Sequence, residues 1–142
     1  MSTTQPIRSK QLLHDFKEYF LTKQPNSRNY TLILIGLNTA LRINDILHLT
    51  WGDVYCTEHS RFYTHLLITE KKTEKETRIL INRELQETLL SYRKTQPSIA
   101  DTDYLFPSPR KADSPLSRYQ AYRIVRKAAE AVGIEDVIRC HS

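Results

Sequence analysis

Apolar residues recur at helical spacing along most of this chain, and the pattern changes to strand-like alternation in only one place. In residues 9–24, Leu12, Leu13, Phe16, Tyr19 and Phe20 share one helical face, with Ser9 as an N-cap and Pro25 as the stop. The same spacing predicts a helix over about Arg28 to Ala40 and another over Ile43 to Thr50, with Gly52 as its stop. It returns in residues 82–96 through Leu85, Leu89, Leu90 and Tyr92, until Pro97 breaks it. The last helix is the best marked: Ser117 and Gln120 form a capping box, and Gly133 sits where a C-terminal stop belongs. Between the third and fourth helices, residues 62–69 and 77–81 are β-branched and aromatic and flank the charged run "EKKTEKE". They read as two antiparallel strands joined by an exposed basic turn. The expectation is a mainly α fold with a small antiparallel β-hairpin or sheet, of the α+β class.

A chain of 142 residues can bury roughly two-thirds of its unfolded surface, so one core and one domain are expected, with no internal repeat or linker. No apolar run approaches the ~20 residues of a membrane span, and "MSTTQPIRSK" lacks the apolar region of a secretory signal. The chain is therefore expected in the cytoplasm and off the membrane. Cys56 and Cys140 form no CxxC pair, so a disulfide framework has no support. A metal site drawn from Cys56, His59, His65, Cys140 and His141 is the weakest reading, and no metal is expected.

Charge narrows the partners. The net charge is +5, and between Arg110 and Lys127 six basic residues face one acid, Asp113. Winding residues 118–132 at 100° per residue puts Ala121, Ile124, Val125, Ala128 and Val132 on one side, with Arg118, Tyr119, Tyr122, Arg123 and Arg126 on the other. A solvated helix face is the plain reading. Arginines interleaved with tyrosines suit a phosphate backbone better, because guanidinium forks phosphate oxygens and the phenol adds a hydroxyl and a flat surface.

The segment "NTALRINDILHLTWGDV", residues 38–54, sets Arg42 beside an apolar face. A guanidinium cannot shed its charge, so near a core it must meet a carboxylate, backbone carbonyls or a bound anion. An ion pair with Asp45 or Asp53 is one answer and a phosphate is another. The segment resembles the first arginine box of the tyrosine recombinases, the phage integrase family, through Leu41, Arg42, Ile43, Asp45, Leu47, Leu49, Trp51, Asp53 and Val54. "ITEKKTEKETRILIN" resembles the family's β-hairpin, with Lys72 in the place of the catalytic lysine. "YLFPS", then "SRYQAYRIVRKAAEAVGI" and "HS", resemble the approach to the second box, in which His141 is the first histidine.

The resemblance implies DNA recombination and integration by a metal-free and nucleotide-free transesterification on double-stranded DNA, through a 3′-phosphotyrosyl intermediate and an oligomer assembled on the DNA. Arg42, Lys72 and His141 are then catalytic, and Asp45 is an orienting partner of Arg42. Lys71, Lys75, Arg118, Tyr119, Tyr122, Arg123 and Arg126 contact the DNA. Lys71 and Lys75 compete with Lys72 for the role of general acid.

The family commonly has glycine where this sequence has Ala40 and Glu74. Its second arginine would come three residues after His141, and its tyrosine nucleophile later still. The expectation is therefore a partial catalytic domain over residues 1–142, without a separate N-terminal core-binding domain and inactive by itself. A non-catalytic DNA-binding module derived from an integrase is the alternative.

Overall fold

The computed structural model describes residues 6–69, 73–96 and 99–134. Its elements are α1 (Pro6–Glu18), α2 (Ser27–Thr39), α3 (Ile43–Leu47), α4 (Trp51–Val54), β1 (Tyr55–Cys56), β2 (Arg61–Phe62), β3 (His65–Thr69), β4 (Glu76–Leu80), α5 (Arg83–Lys94) and α6 (Arg118–Val132). Helices dominate, and the strands form two separate two-stranded antiparallel sheets, β1–β2 and β3–β4. The mainly α fold with small antiparallel sheets is the one the periodicity implies.

The middle of α2 is buried on all sides: Thr31, Leu32, Ile33, Leu34 and Ile35 are consecutive core residues. A helix surrounded in this way is the axis of the fold. Its hydroxyl at Thr31 donates to the Ser27 carbonyl at 2.7 Å, which satisfies the one polar group in the run. Around α2 pack α1, α3 and α5, while α6 packs on α1 and α3. Asn26 caps α2 by accepting from the Asn29 amide, Asn82 caps α5 by accepting from Leu85, and the Ser117–Gln120 box caps α6. Gly133, with φ +88°, ends α6 as expected.

Several boundaries differ from the sequence expectation, among them the strand read over residues 62–69, of which Phe62 pairs with Tyr55 in a separate sheet and only His65–Thr69 pairs with β4. The first helix starts at Pro6, not after Ser9, and its last turn from Tyr19 to Lys23 is π-helical, with Gln24 N–H donating to the Tyr19 carbonyl. The third helix stops at Leu47. Residues 49–52 instead run against 101–105: Leu105 N–H donates to Leu49, Trp51 N–H to Asp103, and Gly52 N–H to Asp101. Gly52 is thus inside α4 and stops nothing. A Cβ there would lie 3.0 Å from the Asp101 carbonyl oxygen, so the glycine permits the close approach of two backbones. The Pro- and Ser-rich connector is likewise no loose segment, since Leu105 and Phe106 are fully buried and Leu116 N–H donates to the Phe106 carbonyl.

Tyr92 joins that connector to α5. Its ring stacks on Phe106 and lies 5.5 Å from Trp51, and its hydroxyl donates to the Leu105 carbonyl. Burial pushes the Tyr92 hydroxyl up to about 12 from an ordinary value of 10.0, with Arg28 opposing the shift. A hydroxyl whose folded pKa is raised stabilises the fold fully below pH 10, and this contribution is lost as pH rises through 12. The expected loss is on the order of 2 to 3 kcal/mol across that window. Denaturant unfolding at pH 9 and pH 12 should show the loss in the parent chain, and Tyr92→Phe should remove most of the difference between the two pH values. Equal pH dependence in both would refute the burial of this hydroxyl.

Candidate functional site

Arg42 is held by its neighbours. Leu41 and Ile43 on either side of it turn inward and line an apolar cavity of about 80 Å³, closed by Ile33 and Gly36 of α2 and by Tyr122 and Val125 of α6. Arg42 itself is exposed and occupies the N-cap position of α3, where its carbonyl accepts from the Ile46 amide. Most of the box around it is structural: Leu47, Leu49, Trp51 and Val54 are core residues. The Asp53 carboxylate accepts from the Thr50 amide at 2.8 Å in the capping box of α4. Asp45 lies half-buried in the first turn of α3. Among the described residues neither Asp45 nor Asp53 forms an ion pair with Arg42, and the guanidinium has no hydrogen-bond partner.

The link from α2 to α3 turns at Ala40, whose φ is +56°. This is the left-handed region that disfavours any side chain, by roughly 1–2 kcal/mol. The hairpin turn repeats the device at Glu74, also at φ +56°. Both positions are those where the resemblance leads one to expect glycine. Ala40→Gly should therefore stabilise the chain by about 1 kcal/mol, read as a higher denaturant midpoint with an unchanged slope. A lower midpoint would contradict the left-handed link.

The base of the hairpin meets α2 close to Arg42 in the chain. Strands β3 and β4 pair from His65–Leu80 to Thr69–Glu76, which directs the turn away from the core. At the base of the hairpin, Asn82 donates to Asn38 of α2 at 3.2 Å, four residues before Arg42. Lys75 is exposed near the turn. Lys71, Lys72 and His141 lie outside the described residues.

Helix α6 does not present its polar residues as one face. Tyr122 is half-buried and lines the cavity beneath Arg42, while Arg118 at the start of the helix is exposed. Tyr119, Arg123 and Arg126 line a different groove, on the flank toward the start of α2. Tyr119 is 70% exposed, and the Arg123 guanidinium lies 5.8 Å from its ring centre. Two further residues of that groove are Arg28, which sequence reading passed over, and Lys127, which it counted in the basic run without giving it a role. The available signal for Arg28 was a cation in the first turn of a helix with no acid there, where the helix dipole disfavours it. Among the described residues, no three His, Cys, Asp or Glu side chains are placed to hold a metal ion, and no helix is long and apolar enough to cross a membrane.

A sequence model described as the phage integrase family matches residues 5–142. The chain is 42% identical over 137 residues to "Probable integrase/recombinase YoeC" of Bacillus subtilis (strain 168), which covers 96% of this chain and 69% of that protein. Its fold is similar to the crystal structure of XerA recombinase, with a TM-score of 0.71 and 21% identity over 95% of this chain and 44% of that one. It is also similar to the Tn1549 transposon integrase, solved in complex with a circular intermediate DNA, with a TM-score of 0.50 and 16% identity over 99% of this chain and 58% of that one. The chain thus spans about half the length of these solved structures, and at such identities the likeness is one of fold. The match over nearly every residue, together with the likeness to YoeC, decides the assignment: this chain belongs to the phage integrase family of tyrosine recombinases.

Proposed function

We propose that residues 1–142 form part of a recombinase catalytic domain that binds double-stranded DNA in the cytoplasm and positions one of its phosphates for cleavage and rejoining. The observation that carries this reading is Arg42, exposed and without an ionic or hydrogen-bonding partner among the described residues, on a loop whose flanking side chains are anchored in an apolar cavity. A cation fixed by its neighbours but left unneutralised is suited to an anion that arrives from outside.

In this chemistry a tyrosine oxygen attacks phosphorus, the bond from phosphorus to the 5′-oxygen breaks, and that oxygen takes a proton. Arg42 stabilises charge on the non-bridging oxygens, with Asp45 as its orienting partner once the phosphate is seated. Lys72, on the hairpin turn, gives the proton to the departing 5′-oxygen. His141 holds the phosphate or assists proton transfer. Lys71, Lys75, Arg118, Tyr119, Tyr122, Arg123 and Arg126 contact the DNA around it. The covalent bond conserves the phosphodiester energy, so the scheme uses neither metal nor nucleotide, and recombination proceeds in an oligomer assembled on the DNA.

The purified 142-residue chain should bind duplex DNA, with affinity that falls steeply as salt rises, because phosphate contacts release counterions. With a nicked suicide duplex it should yield no covalent adduct on a denaturing gel, since none of its eight tyrosines stands in the nucleophile's place. Absence of duplex binding would overturn the DNA reading, and a covalent adduct would overturn the residue assignments.

A further inference from the structure

The β3–β4 hairpin is fixed at its base and open along the rest of its length. It is a two-stranded sheet of its own, in which Leu66 is buried and Ile68 and Ile79 are half-buried, while Leu67 and Leu80 on the opposite face are 53% and 57% exposed. Such a pair of strands holds its place only through what it rests on. Its five paired positions, at about 3.4 Å each, make an arm of about 17 Å, so a rotation of about 10° at the base moves the far end by about 3 Å. That is a whole hydrogen-bond length. A proton donor carried beyond the strands is therefore placed by the contacts at the base.

Those contacts are specific. Ile81 N–H donates to the Thr64 carbonyl at 2.9 Å, the Ile81 carbonyl accepts from Gln86 Nε2 at 3.2 Å, and the Asn82 carbonyl accepts from the Gln86 amide at 2.9 Å. They join the end of the hairpin to α5. One side chain reaches further. Asn82 Oδ1 accepts from the Leu85 amide at 2.9 Å, which caps α5, and its Nδ2 donates to Asn38 Oδ1 at 3.2 Å. Asn38 Nδ2 in turn donates to the Leu34 carbonyl of α2 at 3.1 Å. Each amide is thus oriented by a backbone partner and presents its remaining atom to the other amide. The residue types fit this use. Serine or aspartate would cap α5 as well as asparagine, but neither offers an amide donor. Asparagine at the exposed position 38, in the last turn of α2, is a poorer helix former than alanine. An exposed amide pair adds little to stability, so what it supplies is position.

We infer that Asn38 and Asn82 are positioning residues for strand cleavage: their hydrogen bond holds the hairpin against the last turn of α2, and so sets the reach of Lys72 toward the phosphate engaged by Arg42. The inference rests on the function proposed above. Arg42 follows four residues after Asn38 and is already anchored through Leu41 and Ile43. The bridge therefore acts on the hairpin and on proton delivery, not on the arginine.

Two measurements decide it. In the 142-residue chain, Asn38→Ala and Asn82→Ser should each speed amide exchange in the β3–β4 ladder by about 2- to 10-fold. Amides of α1 and α6 should keep their parent rates, because alanine suits the helix and serine keeps the cap. Ladder exchange at the parent rate in both variants overturns the bridge, whatever the chain does to DNA. The second measurement is single-turnover cleavage of a suicide duplex by these residues acting together with the family's tyrosine. Each variant should slow cleavage by about 10- to 10²-fold, the scale of a misplaced reacting group. The double variant should be no slower than either single one, since both act through one bond. A duplex with sulfur as the bridging 5′-atom, whose leaving group departs without a proton, should return all three close to the parent rate. A general defect in folding would slow both substrates alike. If sulfur rescues Lys72→Ala while the bridge variants cleave the oxygen duplex at the parent rate, or are slowed equally on both duplexes, the positioning role is overturned and the proposed function stands. If sulfur does not rescue Lys72→Ala, the assignment of the proton donor fails and the positioning role falls with it.

Discussion

Arg42→Ala is expected to slow strand cleavage by about 10²- to 10³-fold when these residues act together with the family's tyrosine, the range found when one preorganised anion donor is removed. The side chain is exposed and makes no contact that the fold depends on, so thermal unfolding of the variant should stay close to that of the parent. That separation is what makes the substitution informative. Arg42→Lys should recover little, because an ammonium is a point charge and cannot fork two phosphate oxygens. Single-turnover cleavage of a suicide duplex is the measurement. Cleavage by Arg42→Ala at the parent rate would mean that the arginine is not the phosphate ligand.

Lys72→Ala should slow the same step by about 10²- to 10⁴-fold, the range for a positioned general acid, and should differ from Arg42→Ala in how it is rescued. Replacing the bridging 5′-oxygen by sulfur makes a leaving group that departs without a proton. That substrate should restore cleavage to Lys72→Ala and do little for Arg42→Ala, whose defect lies on the non-bridging oxygens. Lys71 and Lys75 provide the internal comparison. If sulfur rescues Lys75→Ala or Lys71→Ala and not Lys72→Ala, the proton donor is a neighbouring lysine in the sequence between β3 and β4. The left-handed backbone at Glu74 matters here, because it fixes the path by which the chain enters β4.

Much of this was legible because helices and strands write their period into the chain. The α6 start was readable from Ser117 and Gln120, since a capping box is a local exchange of hydrogen bonds that needs no tertiary partner. The β3–β4 hairpin was readable from alternation. The end of α3 was not, because the backbone that competes for residues 49–52 comes from residues 101–105, some fifty positions away. Gly52 looked like a stop for the same reason: its role is set by the Asp101 carbonyl oxygen, which no local rule can see.

The candidate site divides along the same line. Sequence by itself determined the fold class, the family and the cationic chemistry, because helical period, box residues and net charge are properties of the chain order. Only the tertiary structure decided that Asp53 is occupied by its own cap and forms no ion pair with Arg42 among the described residues, and that Leu41 and Ile43 anchor the arginine from below. It also decided that α6 turns Tyr122 to the cavity lined by Leu41 and Ile43, and Tyr119, Arg123 and Arg126 to a separate groove. A helical wheel assigns only an angle, and which neighbour fills that angle depends on elements that meet in space. Tyr122 shows this directly: the wheel places it with the arginines, but α2 and α3 arrive beside it and make it part of an apolar wall.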